Sequence, residues 1–306
     1  MILKTIKLTA AGIAAFILTT ATVPVIAQRA RTAAPKLKPV VFAVLDDGKT
    51  LEPIAFITNG KLSGSEEGQG GLFDGDALKA YFAPKKSYSI VFGGSADGKT
   101  VVVKRNTGEC SGTSAETIST PVKARLKGFV MALATSAPVT LKAPAFRRLP
   151  TPAERSSAES LVRTEFLKQK LSTEAANKID YHNLTAIDVD RDGKAELVGT
   201  FWAVPKENER ATLFFIAEQD ANGKYAMTLS EVEHYTVEKI MSGDVKDLDQ
   251  GIYHTLLLDY MDVDGDGVGE IFTTAQAFEG RHFETYKRAE GKWKSVSTSY
   301  NYRCGY

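Results

Sequence analysis

Residues Met261 to Ile271 read Met-Asp-Val-Asp-Gly-Asp-Gly-Val-Gly-Glu-Ile, with carboxylates at alternate positions, then a glycine and a fourth acid. Counting Asp262 as position one, Asp264 and Asp266 stand at three and five, and Gly267 at six supplies positive φ. Val268 at seven offers its backbone carbonyl, and Glu270 at nine closes the shell. A second copy, Asp188, Asp190, Asp192, Gly193, Lys194 and Glu196, repeats every one of these positions at an offset of 74 residues (262 less 188). The pattern points to a hard cation in an all-oxygen shell. Calcium fits better than magnesium, because a flexible, carboxylate-rich loop tolerates calcium's larger shell. An EF-hand does not fit: that loop needs Glu at position twelve, where this chain has Gly199 and Thr273. Neighbouring carboxylates repel one another without metal, so two bound ions would stabilise the fold directly, in a structural rather than catalytic role.

Each acidic loop lies between the first two strands of a predicted four-strand meander. Leu184–Ile187, Leu197–Ala203, Ala211–Glu218 and Tyr225–Val232 form one. His254–Tyr260, Ile271–Ala277, His282–Arg288 and Trp293–Tyr302 form the other. The intervening residues 233–252 fit either a strand extension or a short helix. Upstream, Thr151-Pro152-Ala153-Glu154 combines a cap, a proline at the first helical position and a capping-box glutamate. Ala158, Leu161, Val162, Phe166 and Gln169 then follow at helical spacing, up to Leu171.

The chain before this is read as a small α+β domain over 40–136 and a Pro-rich linker over 137–150, with Pro138, Pro144 and Pro150. Asp46-Asp47-Gly48-Lys49 predicts a hairpin between Val40–Leu45 and Leu51–Thr58. A second hairpin is expected between Ser87–Phe92 and Thr100–Lys104 around Asp97-Gly98, with a further apolar run at Leu126–Leu133. A short helix is predicted over Asp74–Phe82, capped by Asp74 or Asp76. Ser63–Gly71 and Asn106–Thr120, rich in Ser, Gly, Thr and Glu, read as exposed loops. The predicted fold class is thus β-rich α+β, with domain 151–306 carrying a helix and two blade-like units.

Lys4 and Lys7, the apolar run Ala10–Thr22 and Val25-Ile26-Ala27 predict a signal peptide over 1–27, followed by a flexible arm over 28–39. The apolar run is too short and too interrupted for a membrane span. Removal of residues 1–27, with Lys4 and Lys7, lowers the formal charge of +1 by two, leaving a near-neutral chain without the basic face of a nucleic-acid binder. The expected location is periplasmic or secreted. There the only two cysteines, Cys110 and Cys304, 194 residues apart, can pair. Such a bridge would restrict the unfolded chain by about 5 kcal/mol in the chain-entropy model.

The acid pattern opening a four-strand unit resembles the FG-GAP/VCBS repeat of β-propellers and related exported proteins, over roughly Asn183–Tyr306. Glu196 and Glu270 depart from it by standing where the family's closing residue is Asp, and no Phe-Gly…Gly-Ala-Pro signature is present. Two units cannot close a propeller, so they are expected to pack on each other, with the 151–171 helix covering an edge or face. No Gly-x-Ser-x-Gly or His-Glu-x-x-His motif occurs, and His182, His234, His254 and His282 read as strand or surface residues. Trp202, Trp293 and Tyr260 read as packing rather than as a sugar platform. The sequence therefore suggests a non-enzymatic exported calcium-binding protein with a protein or glycan partner. A calcium-stabilised hydrolase or glycan-active enzyme, and a subunit of an envelope assembly, are the alternatives.

Overall fold

The computed structural model describes residues 37–64, 72–73, 75–108, 110–138 and 146–304. The expected signal peptide, residues 28–36 of the arm and the cap at Asp74 lie outside them. Leu37–Tyr306 form one compact unit. Its first part comprises β1 (Val40–Leu45), β2 (Thr50–Thr58), β3 (Lys61–Ser63), α1 (Gly75–Tyr81), β4 (Ser87–Phe92), β5 (Ser95–Arg105), β6 (Ala115–Pro121) and β7 (Ala132–Thr135). The strands run in the order β1-β7-β4-β5-β6-β2, and β1 also pairs with β2, closing a six-stranded antiparallel barrel with β3 on its margin. The Asp46–Gly48 turn joins β1 to β2 as its sequence predicts, with φ of 50°, 58° and 84° at Asp46, Asp47 and Gly48.

Strand β1 is apolar throughout because both of its faces are covered. Val40, Phe42 and Val44 point into the barrel beside Tyr88 and Ile90, where Phe73, Tyr81 and Phe82 from the α1 region also pack. Val41, Ala43 and Leu45 point outward against the rest of the molecule.

Three local expectations are corrected in this region. Asn106–Thr120 is not loop throughout: Ala115–Pro121 is β6, whose Thr and Ile alternation suits a barrel wall with one face in solvent. Of Leu126–Leu133, only Ala132 onward is strand, since Lys127–Val130 closes a turn of its own. The second hairpin turns at Gly93-Gly94 rather than at Asp97-Gly98. Asp97 instead lies within β5, where its carboxylate accepts from the amides of Lys123 (2.8 Å) and Ala124 (2.7 Å).

The second part comprises β8 (Arg147–Arg148), α2 (Pro152–Lys168), α3 (Thr173–Asn177), β9 (Ile179–Ile187), β10 (Glu196–Ala203), β11 (Glu209–Gln219), β12 (Tyr225–Thr236), β13 (Leu256–Met261), β14 (Glu270–Ala277), β15 (Gly280–Ala289) and β16 (Lys292–Tyr302). Helix α2 opens with the predicted capping box: Glu154 N donates to Thr151 Oγ1 (3.2 Å), and Thr151 N donates to Glu154 Oε2 (2.7 Å). Strands β13–β16 form the expected four-strand meander. The first sheet has five strands, β12-β11-β10-β9-β8, because β8 from the expected linker adds to its edge. Between the sheets, β12 runs on to Thr236 and is followed by 3-10 turns at Val237–Lys239 and Val245–Gln250, so residues 233–252 are in part both predicted alternatives.

The layers follow from which side chains alternate inward. Ala158, Val162 and Phe166 of α2 cover one face of the five-stranded sheet. Its other face, through Val198, Phe214 and Ile216, meets Leu257, Ile271 and Tyr286 of the four-stranded sheet. The far side of that second sheet, through Leu256, Leu258, Phe272 and Phe283, packs on the outside of the barrel. Each such side chain contributes about 1.5–3 kcal/mol on burial. The barrel and the sheets therefore share a core across the 137–150 boundary. A buried ion pair sits at that seam, Arg147 Nη1 lying 2.8 Å from Asp259 Oδ2, and both partners also bond to barrel backbone, Arg147 to Met131 O (3.0 Å) and Asp259 to Gly93 N (2.9 Å). Cys110 and Cys304 are joined, tying the chain's last strand to the barrel.

Candidate metal centre

Both acidic loops sit at strand ends where a turn is needed, and their backbones repeat in detail. Val189 N donates to Glu196 Oε2 (2.9 Å), as Val263 N does to Glu270 Oε2 (2.8 Å). Gly193 N donates to Asp188 Oδ2 and Gly267 N to Asp262 Oδ2, each at 3.1 Å. The amides of Asp192 and Asp266 donate to Asp190 (3.2 Å) and Asp264 (3.3 Å). Lys194 and Val268 use their amides likewise on Asp192 (2.7 Å) and Asp266 (2.9 Å). Each loop needs two left-handed residues, Arg191 (φ 62°) and Gly193 in one, Gly265 (φ 81°) and Gly267 in the other.

These turns gather the carboxylates. Oxygens of Asp188, Asp190 and Asp192 lie within 4.8 Å of one another, and so do those of Asp262, Asp264 and Glu270. Two such groups can each hold a metal ion. The groups differ in membership: Asp192 completes the first and Glu270 the second. The loops are also neighbours. Gly269 N donates to Val189 O (2.8 Å), and a cavity of about 570 Å³ lies between Arg191 on one side and Asp262 and Gly267 on the other.

Burial acts on the acids unevenly. Asp188 is 7% exposed, and its Oδ1 is buried without a hydrogen bond of ordinary geometry among the described residues. Its carboxyl is raised by burial, opposed by the Gly193 and Arg191 amides and reinforced by the Asp190 charge. Burial pushes Glu196 up to about 8, with the charges of Asp190 and Glu218 adding to the rise and the Val189 amide opposing it. Glu270 is raised by burial as well, against the Val263 amide and Lys287. Asp266 is held low, chiefly by its bond to Lys287. A cation that offsets the loss of water would favour the charged form of every raised carboxyl.

No family model, curated protein or solved structure matches the chain.

Two adjacent side chains of β15 that sequence reasoning missed reach the two loops. Lys287 Nζ donates to Asp264 Oδ2, to Asp266 Oδ2 (2.7 Å) and to Glu270 Oε1 (3.2 Å). Arg288 pairs with Asp190 of the other loop and, at 3.4 Å, with Glu218 Oε1, which also accepts from Trp293 Nε1 (2.7 Å). Nothing in the spacing of the acids flags a basic pair some twenty residues downstream of one loop and about a hundred downstream of the other.

A second polar cluster joins the two sheets. Tyr286 Oη lies 2.9 Å from both Glu231 Oε2 of β12 and Glu284 Oε2 of β15. Burial raises Glu231, while at Glu284 burial is outweighed by bonds to His282, Ser295 and Tyr286, so that carboxyl is lowered. Nearby, Glu231, Glu233, Tyr235 and Tyr253 line a recess of about 200 Å³, with the two tyrosine rings stacked at 5.6 Å.

The four histidines do not converge on either loop. His182, His234 and His282 lie in strands. His254 is fully buried, with its ring 4.7 Å from that of His182 and neither nitrogen hydrogen-bonded among the described residues. Tyr260 and Trp293 are buried between the sheets, and Trp202 stacks on His182 beneath the Arg210 guanidinium, so the three make no exposed platform.

Proposed function

We propose that this is an exported calcium-binding protein in which the acidic loops hold two structural ions and the β-rich body serves as a binding module. The single observation that carries the reading is the recurrence of the same carboxylate and amide geometry in both loops. The resemblance to FG-GAP/VCBS repeats supports it, and the Cys110–Cys304 bridge supports a periplasmic or secreted location. The partner we propose is a protein or a glycan, and the near-neutral charge argues against nucleic acid. Calorimetric titration of the mature chain with calcium, and melting with and without EGTA, test this. With Kd of ~10 μM and calcium of ~1 mM, each site adds roughly 2.7 kcal/mol. No heat of binding and an unchanged melting curve in EGTA would reject it.

A second reading, a calcium-stabilised hydrolase or glycan-active enzyme, is favoured by the Glu231–Tyr286–Glu284 cluster. A phenol has one proton to donate, so two carboxyl oxygens at 2.9 Å can both hydrogen-bond to it only if one of the carboxyls is protonated. Glu231 would then be the acid and Glu284 the ionised base, a pair pushed apart by environment as acid–base catalysis requires. Polysaccharide, ester and peptide panels, run on wild type, Glu231→Gln and Glu284→Gln, decide it. Turnover in wild type that both variants lose would move the assignment to enzyme.

A further inference from the structure

Beside the closing glutamate the two repeats carry opposite charges. Leu197 follows Glu196 and pairs across β10 and β11 with Ala217. Ile271, its equivalent after Glu270, pairs across β14 and β15 with Tyr286. The next residue on each partner strand is Glu218 in the first unit and Lys287 in the second. The same site beside the closing glutamate thus carries an extra carboxylate in one repeat and an ammonium in the other.

Resting on the calcium reading above, we propose that the two loops are unequal. The Asp188 loop takes the ion first, and Lys287 is a tethered cation that an ion must displace from the Asp262 loop. Lys287 donates to three of the four acids of its loop, so their charge is already compensated. An incoming ion has to break those bonds and move the ammonium into water. The Asp188 loop is less satisfied. Arg288 reaches only Asp190 among its acids and is shared with Glu218. Arg191 and Lys194 form no ion pair with its carboxylates among the described residues. Oδ1 of Asp188 is buried without a hydrogen bond of ordinary geometry among the described residues, and Asp188 is one of the three acids whose oxygens gather within 4.8 Å.

Calcium titration calorimetry on the mature chain, its Lys287→Met, Lys287→Arg and Asp188→Asn variants, tests the ranking. Wild type should show two steps of different affinity. Lys287→Met should tighten the weaker step about tenfold or more, because a competing charge is removed, and leave the tighter step unchanged. Lys287→Arg should keep the second step weak, and Asp188→Asn should abolish the tighter one. In EGTA, Lys287→Met should melt below wild type, and saturating calcium should close the gap. Two equal steps in wild type, or a weaker step unmoved by Lys287→Met, overturn the ranking while leaving calcium binding standing. No uptake in any variant overturns both. Should Lys287→Met not fold, Asp188→Asn decides alone: loss of the weaker step instead of the tighter refutes the proposal.

Discussion

Replacing Arg147 by methionine tests how the barrel and the sheets are held as one body. Asp259 is fully buried, and its carboxylate accepts from Gly93 N (2.9 Å), Gly94 N (3.1 Å) and Tyr260 N (2.7 Å) as well as from Arg147. The Arg147 guanidinium also donates to Met131 O (3.0 Å) and Leu258 O (2.6 Å) and lies over the Phe92 ring. Methionine preserves much of the stem's packing but leaves the carboxylate without its counter-charge. Breaking a buried pair from one side costs about 3–5 kcal/mol, and the three remaining amide donors argue for the lower part of that range. At 2–4 °C per kcal/mol this is a fall in melting temperature of about 10 °C. Burial already raises Asp259, and loss of Arg147 raises it further. A carboxyl raised in the folded state stabilises below its unfolded pKa and loses that contribution as pH rises through the folded value. The deficit of Arg147→Met should therefore be larger at neutral pH than near pH 5. Urea unfolding of wild type, Arg147→Met, Asp259→Leu and the double variant gives the coupling energy, expected at about 2 kcal/mol or more. A single variant within about 1 kcal/mol of wild type, with no pH trend, would refute the reasoning.

Other consequences are measurable on the same material. Replacing Cys110 and Cys304 together by serine should lower stability by up to about 5 kcal/mol, read as a shift in the urea midpoint under non-reducing conditions. An unchanged midpoint would mean that the unfolded chain is not restricted by the bridge. Burial, with the His182 charge adding to it, lowers His254 to about 3, so the unfolded chain takes up its proton more readily below about pH 6.5. Its contribution is complete above that value and is lost as pH falls, by about 2–3 kcal/mol between neutral pH and pH 4.5. His254→Leu should flatten that part of the stability curve, and an identical acid slope in the variant would remove His254 as the cause.

The acidic loops were legible in the sequence because their chemistry is local. Every carboxylate, each turn glycine and the closing acid falls within nine residues, and a turn of that composition sets its own backbone hydrogen bonds. The capping box of α2 was readable for the same reason, as was the Asp46–Gly48 hairpin. Strand β6 was not, since its Thr and Ser residues read as loop until β5 and β2 provide ladders on both sides. Nor was the role of residues 146–148: prolines suggested a tether, whereas Arg147 finds Asp259 112 positions away. The cations that meet the acidic loops, and the Glu231–Tyr286–Glu284 cluster, depend on which strands the two sheets bring face to face. Alternation along a strand says that a side chain points to one side, but not what waits there. Lys287 and Arg288 are adjacent and point to opposite faces of β15, so one meets the loop of its own sheet and the other the loop of the sheet stacked against it. That assignment follows from the packing of the layers, which is decided by apolar burial over the whole chain and is written in no single segment of it.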